Sequence, residues 1–527
     1  MTIFMKRTQA RSTKFFALAV TLAALAAATL WLPSAHAGSL GFSLEAGDPS
    51  SLQVTVLDEQ THAPVADAQV GVGSLQSTRR GYRIRPFSRG SYGRTVRTRS
   101  TGVAGFSLTA LPEPQDVPKV VTVAKAGYVT MTLAGVRGGN LTVHLKRLDT
   151  AFPDVIASGT TGGWNMPASA SEDTGVMAKP VTLGLVIRSL SGFDLLDFSL
   201  KSVISPLNDT INIWGDREIP SNLVLPPQTI PVFIGSAKVN KLNYRLPIPS
   251  LVPSRLGVIQ GRMMSDDLIA IGQSGELSLS SLNKLEFTRV GLTAPVVPDA
   301  DFRQDVNADT ALSAAHAVTV TAAPFSADVM VAAFTDVHAD RSVMLPTDLK
   351  TPISASLSAE SAGTAAPVSL KSMAPLQGST RAIVGIALSP DNRKMAGVLA
   401  DQAGAQLQLP PFLPAPDLAD SAQLPATIGL PAAKQGLSSA VFEVLRPKAA
   451  PTHPGPATYP VWTVFSLPAA GPLSISTRSL GPDAASIRSV SVTSMEFTPA
   501  FDEARIDGMK AIQDLRRFGR VSAKIGK

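Results

Sequence analysis

The 527-residue chain contains no cysteine. That absence excludes disulfide scaffolds, thiolate zinc sites, iron–sulfur clusters and cysteine nucleophiles together. Charged residues make up only 17% of the chain and aromatics 6%, against 44% hydrophobic. A disordered chain has few apolar residues and high net charge, so this composition folds. At roughly 100–200 residues per domain, the length allows about three units. Long apolar runs are scarce too, and beyond the N-terminal region nothing approaches the ~18 continuous apolar residues of a spanning helix. Enzyme signatures are mostly missing. There is no Gly-rich phosphate loop, no His-Glu-x-x-His and nothing that calls for a cofactor. Gly272-Gln273-Ser274-Gly275 lacks the spacing of a nucleophile elbow, and Ser281-Leu282-Asn283-Lys284 stands without the companion motifs of serine acyl-transfer enzymes. No catalytic residue and no specific nucleic-acid motif emerges.

What is present begins with an address. Lys6, Arg7, Arg11 and Lys14 precede an uncharged stretch from Phe15 to Leu32, and Ala35-His36-Ala37 follows. This is the order of a bacterial-type signal peptide over residues 1–37, cleaved between Ala37 and Gly38. No cysteine stands there to accept a lipid, so the reading is an exported periplasmic or extracellular protein, not a lipoprotein, with no transmembrane segment after cleavage.

After a linker at 38–50, strand patterns dominate. Leu52, Val54 and Val56 alternate with Gln53 and Thr55, and Leu141, Val143 and Leu145 alternate with Thr142, His144 and Lys146, the period of half-buried strands. His144 falls on the solvent-facing phase. Four short motifs occur in order: Val54-Thr55-Val56, Ala63-Pro64-Val65-Ala66-Asp67-Ala68-Gln69-Val70, Thr101-Gly102-Val103-Ala104-Gly105-Phe106-Ser107-Leu108 and Lys125-Ala126-Gly127-Tyr128. Pro64 fixes a turn entry, Gly105 permits a tight conformation before Phe106 enters the core, and Gly127 lets the chain turn so that Tyr128 packs. With these motifs, residues 51–148 resemble the carboxypeptidase regulatory-like domain, a transthyretin-like β-sandwich. The resemblance implies an accessory module without catalytic residues, serving folding support, adhesion or sugar-like ligand binding. It departs from the family pattern in a long insertion at 73–100.

The remainder reads as a linker at 149–178, a β domain at 179–310 and a β domain at 311–500 with Pro-rich segments at 410–431 and 447–460. A C-terminal helix and basic tail complete the chain at 501–527. The fold class expected is mainly β, a multi-domain β-sandwich (immunoglobulin/transthyretin-like) with a short C-terminal helix. That helix is read from Asp502 and Glu503 at its start, Ile506, Met509, Ile512 and Leu515 every three residues, Arg516 and Arg517 in its last turn, and Gly519 beyond.

The most distinctive local feature is the insertion. Between Ala68 and Pro112 there is no acid, while Arg79, Arg80, Arg83, Arg85, Arg89, Arg94, Arg97 and Arg99 crowd together, interleaved with Tyr82, Phe87 and Tyr92. Guanidinium forks pair with phosphate and carboxylate oxygens, and aromatics between them stack on rings. Arg79, Arg80, Tyr82, Arg83, Arg85, Arg89, Tyr92, Arg94, Arg97 and Arg99 are therefore the candidate anion-binding residues. The plainer reading is a solvated loop whose charge deters aggregation. Residues 1–37 hold four cations and no acid, so the net charge falls from +7 to +3 without them, and to −5 without the eight arginines as well. A mildly acidic body carries one cationic insertion.

Metal signals are weak. Asp305-Val306-Asn307-Ala308-Asp309 begins like a calcium loop, but Thr310 stands where the turn glycine belongs and His316 where the bidentate carboxylate belongs. Asp336, His338 and Asp340 lack a further partner. The function expected is an exported, non-enzymatic envelope or extracellular binding or adhesion-type protein. Its partner would be an anionic glycan, a lipid head group or an envelope protein. The alternatives are a secreted hydrolase with its site in 181–500, and a structural spacer or assembly subunit.

Overall fold

The structure, a computed structural model, describes residues 41–59, 61–78, 81–84, 93–111, 117–148, 155–166, 179–188, 210–214, 217–231, 236–248, 255–274, 284–294, 296–312, 314–322, 328–336, 344–350, 366–372, 381–389, 394–400, 406–414, 427–431, 436–445, 458–476, 487–497, 505–507 and 518–526. The signal-peptide reading, with Ala37 and Gly38, lies outside the described residues. Every described residue lies in the second of two units, 37–527.

The second unit is mainly β, a stack of sandwiches sharing one long sheet. Twelve strands run through it in the order Met344–Lys350, Asp328–Asp336, Arg381–Leu388, Lys394–Ala400, Phe518–Gly526, Ile487–Phe497, Gly436–Leu445, Thr458–Ser466, Thr130–Val136, Lys119–Ala124, Gln69–Ser74 and Arg94–Arg97. Smaller sheets cover it. A five-stranded sheet ordered Arg505–Asp507, Phe42–Glu45, Gly139–Leu145, Ser51–Asp58 and Val103–Ser107 packs on the Arg94–Arg97 end. The expected alternation supplies its core: Leu52, Val54, Val56, Phe106, Leu141, Val143 and Leu145 are buried together with Val70, Val121, Val123 and Leu133 of the long sheet.

A three-stranded sheet, Ala366–Ser372, Ala314–Ala322 and Gln406–Leu409, packs Val318, Val320, Leu370 and Leu407 against Ile383, Ala387 and Ala396 at the other end. A further sandwich faces a six-stranded sheet containing Pro180–Arg188 and Leu256–Met264 with the sheet of Asn243–Ile248 and Val155–Gly162, burying Val186, Val224, Tyr244, Leu246 and Val258 between them. Val155–Gly162 lies within the stretch read as a linker, yet it is a regular strand whose alternate residues are buried. Its small side chains admit close neighbours: a Cβ on Gly159 would stand 2.0 Å from the carbonyl oxygen of Gln304 and 3.1 Å from the Tyr244 ring.

Both termini of the described chain also enter sheets. Phe42–Glu45, inside the expected 38–50 linker, pairs with Gly139–Leu145 and with Arg505–Asp507. Within the stretch read as a C-terminal helix, Arg505–Asp507 and Phe518 are strand residues, and 508–517 lie outside the described residues. The tail read as basic is the strand Phe518–Gly526, where Val521, Ala523 and Ile525 alternate with Arg520, Ser522 and Lys524. The one α-helix among the described residues is Ser265–Ser274, opened by Asp266 and Asp267, whose charges favour the positive end of its dipole. It buries Leu268 and Ile271, each worth ~1.5–3 kcal/mol when removed from water.

Candidate functional site

The insertion is a built element, anchored at both ends. Gln76–Thr78 and Gly81–Ile84 form an antiparallel hairpin, and Gly81–Ile84 runs parallel to Leu473–Ser476, with Tyr82 opposite Leu473 and Arg83 opposite Ser474. The chain then returns as Arg94–Arg97, antiparallel to Gln69–Ser74, and forms the edge of the long sheet. Arg79, Arg80, Arg85, Arg89 and Tyr92 lie outside the described residues. Arg94 and Arg97 are exposed on the edge strand and Arg99 is exposed just past it, while Val96 packs against the core.

Thr98 locks this edge in place. Its buried hydroxyl donates to Val65 O at 2.7 Å and accepts from Ala68 N at 2.8 Å. Beside it, Arg97 Nη1 lies 2.6 Å and Lys125 Nζ 3.4 Å from the Asp67 carboxylate. The Arg97 hydrogen bond first, and the Lys125 one second, hold the Asp67 carboxyl below its ordinary range. The Arg97 and Asp67 side chains are 67% and 58% exposed, so water and salt screen their attraction. Gly102 takes φ +73° in the following turn, and a Cβ there would meet Val56 O at 2.5 Å. The glycine that this turn requires is thus Gly102, not Gly105, which sits in an ordinary strand with open space around it.

A second polar constellation escaped the sequence reading. Period-2 phasing puts Asp58 on the buried row of Ser51–Asp58, after Leu52, Val54 and Val56. Leu145 is its parallel partner. Two residues on, Arg147 continues the same phase, and its Nε donates to Asp58 Oδ2 at 2.7 Å. Tyr128 OH donates to that same oxygen at 2.9 Å, and the guanidinium sits 5.8 Å from the Tyr128 ring centroid. Thr61 N closes the turn onto Asp58 Oδ1 at 3.0 Å. Burial, then the bond to Asp58, raises the Tyr128 phenol above its ordinary value. Next in the chain, half-buried Glu59 is pushed up to about 7 by desolvation, with Lys146 opposing and Asp58 adding to the shift. His144, read as solvent-facing, is half-buried, and its ring meets that of His62 edge-on at 5.4 Å. The phase of Asp58 was the available signal.

The remaining candidates are drawn into structure. Asp305 Oδ1 accepts from the backbone N and the hydroxyl of Thr160, each at 2.8 Å, and these bonds lower its carboxyl. Asp301 Oδ1 accepts from Ile156 N at 2.8 Å. The two acids therefore fill gaps along the ladder of Val155–Gly162 rather than converging on one point. No group of three His, Asp or Glu that could hold a metal occurs among the described residues. Lys284 pairs with Asp267, while Ser281, His338 and Asp340 lie outside the described residues. No described helix is long and apolar enough to cross a membrane.

No family model and no curated protein matches the chain. Among solved structures it is weakly similar to adhesin and pilin proteins. These are a candidate adhesin from Bacteroides ovatus (9% identity, 50% of this chain and 91% of that one, TM-score 0.13), the fimbrial protein FimP from Actonomyces oris (9%, 69% and 97%, 0.13) and a streptococcal ancillary pilin (9%, 68% and 98%, 0.13). At such scores the likeness carries no argument about fold or function.

Proposed function

We propose that this chain is an exported, non-enzymatic envelope or extracellular binding protein whose Arg/Tyr insertion contacts an anionic polymer or surface. The observation that carries the reading is charge segregation: eight arginines within 79–99, no acid between Ala68 and Pro112, and an acidic remainder. The placement of Arg94, Arg97 and Arg99 supports it, because all three are exposed on or beside a sheet edge whose backbone is fixed by Thr98. A surface of that kind presents guanidinium forks without first having to be ordered, which lowers the entropic cost of binding. The first sandwich, with its resemblance to an accessory module, serves as the recognition unit and the later sandwiches as its support.

The test replaces the eight arginines by serine and measures binding of heparin, as an anionic glycan probe, over a range of salt concentrations. Loss of binding and of its salt dependence is expected. Unchanged binding and unchanged salt dependence would remove the insertion from the function.

A further inference from the structure

We propose that the Arg94–Arg97 edge takes an extended acidic peptide as an added strand. The inference rests on the anion-binding reading and specifies its ligand.

The phase of the edge comes from one bond. Thr98 donates its N–H to Ala68 O, 2.9 Å away. Inward- and outward-facing residues alternate along an antiparallel pair. Continuing the register, Val96 faces Val70 and Arg94 faces Val72 as the bonded partners. The N–H and C=O groups of Thr95 and Arg97 then point away from the sheet. Arg94–Arg97 is the last strand in its sheet, so among the described residues no further strand meets those groups.

A row of open backbone donors and acceptors is matched by a ligand that brings its own donors and acceptors at strand spacing. A peptide does so, whereas a glycan or a lipid head group offers only the anionic component. The side chains set the sign of the peptide. Arg94, Arg97 and Arg99 are exposed, and Lys125 shares Asp67 with Arg97. Acidic residues on an incoming strand meet these cations as favourable cross-strand pairs. The same edge from a second copy would set arginine against arginine, so the charges that admit an acidic strand also oppose self-pairing.

The experiment uses the full chain after residue 37 and three probes followed by fluorescence anisotropy. These are a short peptide alternating Glu and Val, its fully N-methylated counterpart, and heparin. The peptide is expected to bind, and N-methylation to weaken it by about tenfold or more, since charge is kept and strand bonding is lost. Thr95→Pro removes one outward N–H and keeps every arginine; it is expected to weaken the peptide similarly while leaving heparin affinity within about twofold. If the N-methylated peptide binds as tightly as its parent, or only heparin binds, strand addition is refuted and general anion binding stands. If neither heparin nor peptide binds, this inference falls together with the reading beneath it.

Discussion

The first sandwich holds two aspartates that each meet two donors from distant segments, and their settings differ. The Asp58 side chain is 3% exposed and receives Arg147 and Tyr128 on one oxygen. The Asp67 side chain is 58% exposed and receives Arg97 and Lys125. A buried carboxylate that loses its donors is left desolvated, and its donors lose an acceptor that water replaces poorly. An exposed one exchanges its partners for water at little net change. The same chemistry is thus a structural clasp at Asp58 and a loosely engaged surface cluster at Asp67, although Tyr128 and Lys125, one donor of each, belong to a single turn closed by the Tyr128 N–H to Lys125 O bond.

The sharpest way to break this comparison is Asp58→Ala. Removing the acceptor of Tyr128, Arg147 and Thr61 N together is expected to cost about 2–3 kcal/mol, read as a lowered midpoint in denaturant unfolding. A midpoint equal to that of the parent would mean the clasp is no tighter than the surface cluster. The next effect is one of pH. Glu59 ionises at about 7 in the folded chain against an ordinary 4.5, so the folded form holds the proton more tightly. Its contribution is complete below the unfolded value and is lost as pH rises through the folded one. Raising the pH from about 5 to about 8 should therefore destabilise the parent more than Glu59→Gln, a difference seen by repeating the melt at each pH. A parallel decline in both proteins would contradict the assignment. Asp67→Asn has the smallest expected effect on stability, with no resolvable shift in midpoint. By releasing Arg97 it should tighten heparin binding at low salt by no more than about threefold. A large loss of stability would show that the exposed cluster shares the structural role of the buried one.

Much of the fold was legible because strand alternation is local. Leu52, Val54 and Val56, or Leu141, Val143 and Leu145, announce their faces without knowledge of their partners. The insertion, too, announced its charge. Features set by distant pairing were less visible. Ile506, Met509, Ile512 and Leu515 satisfy a helical spacing, but Arg505–Asp507 answers to Phe42–Glu45 from the opposite end of the chain. Val155–Gly162 shows little apolar alternation because Gly159 and Thr161 occupy positions where Val or Leu would mark a strand. At the site, Asp58 and Arg147 are 89 positions apart, so no search for neighbouring partners finds them. Their shared phase with buried leucines and valines does. Tyr128 reads from sequence as a packing residue, and its hydroxyl is what extends that packing into the clasp.

The seam between Thr130–Val136 and Thr458–Ser466 bears on how the chain is made. These strands run parallel, and Trp462 Nε1 donates to the buried Thr132 hydroxyl at 3.0 Å across 330 positions. Bringing such remote segments together is slow in folding kinetics, even though loop-closure entropy grows only logarithmically with length. During synthesis, Thr130–Val136 therefore waits with one unsatisfied side until the last quarter of the polypeptide emerges. A ribosome-bound fragment ending before Thr458 carries an aggregation-prone strand that the finished protein hides. Completion of the first sandwich is in this way postponed to the end of translation.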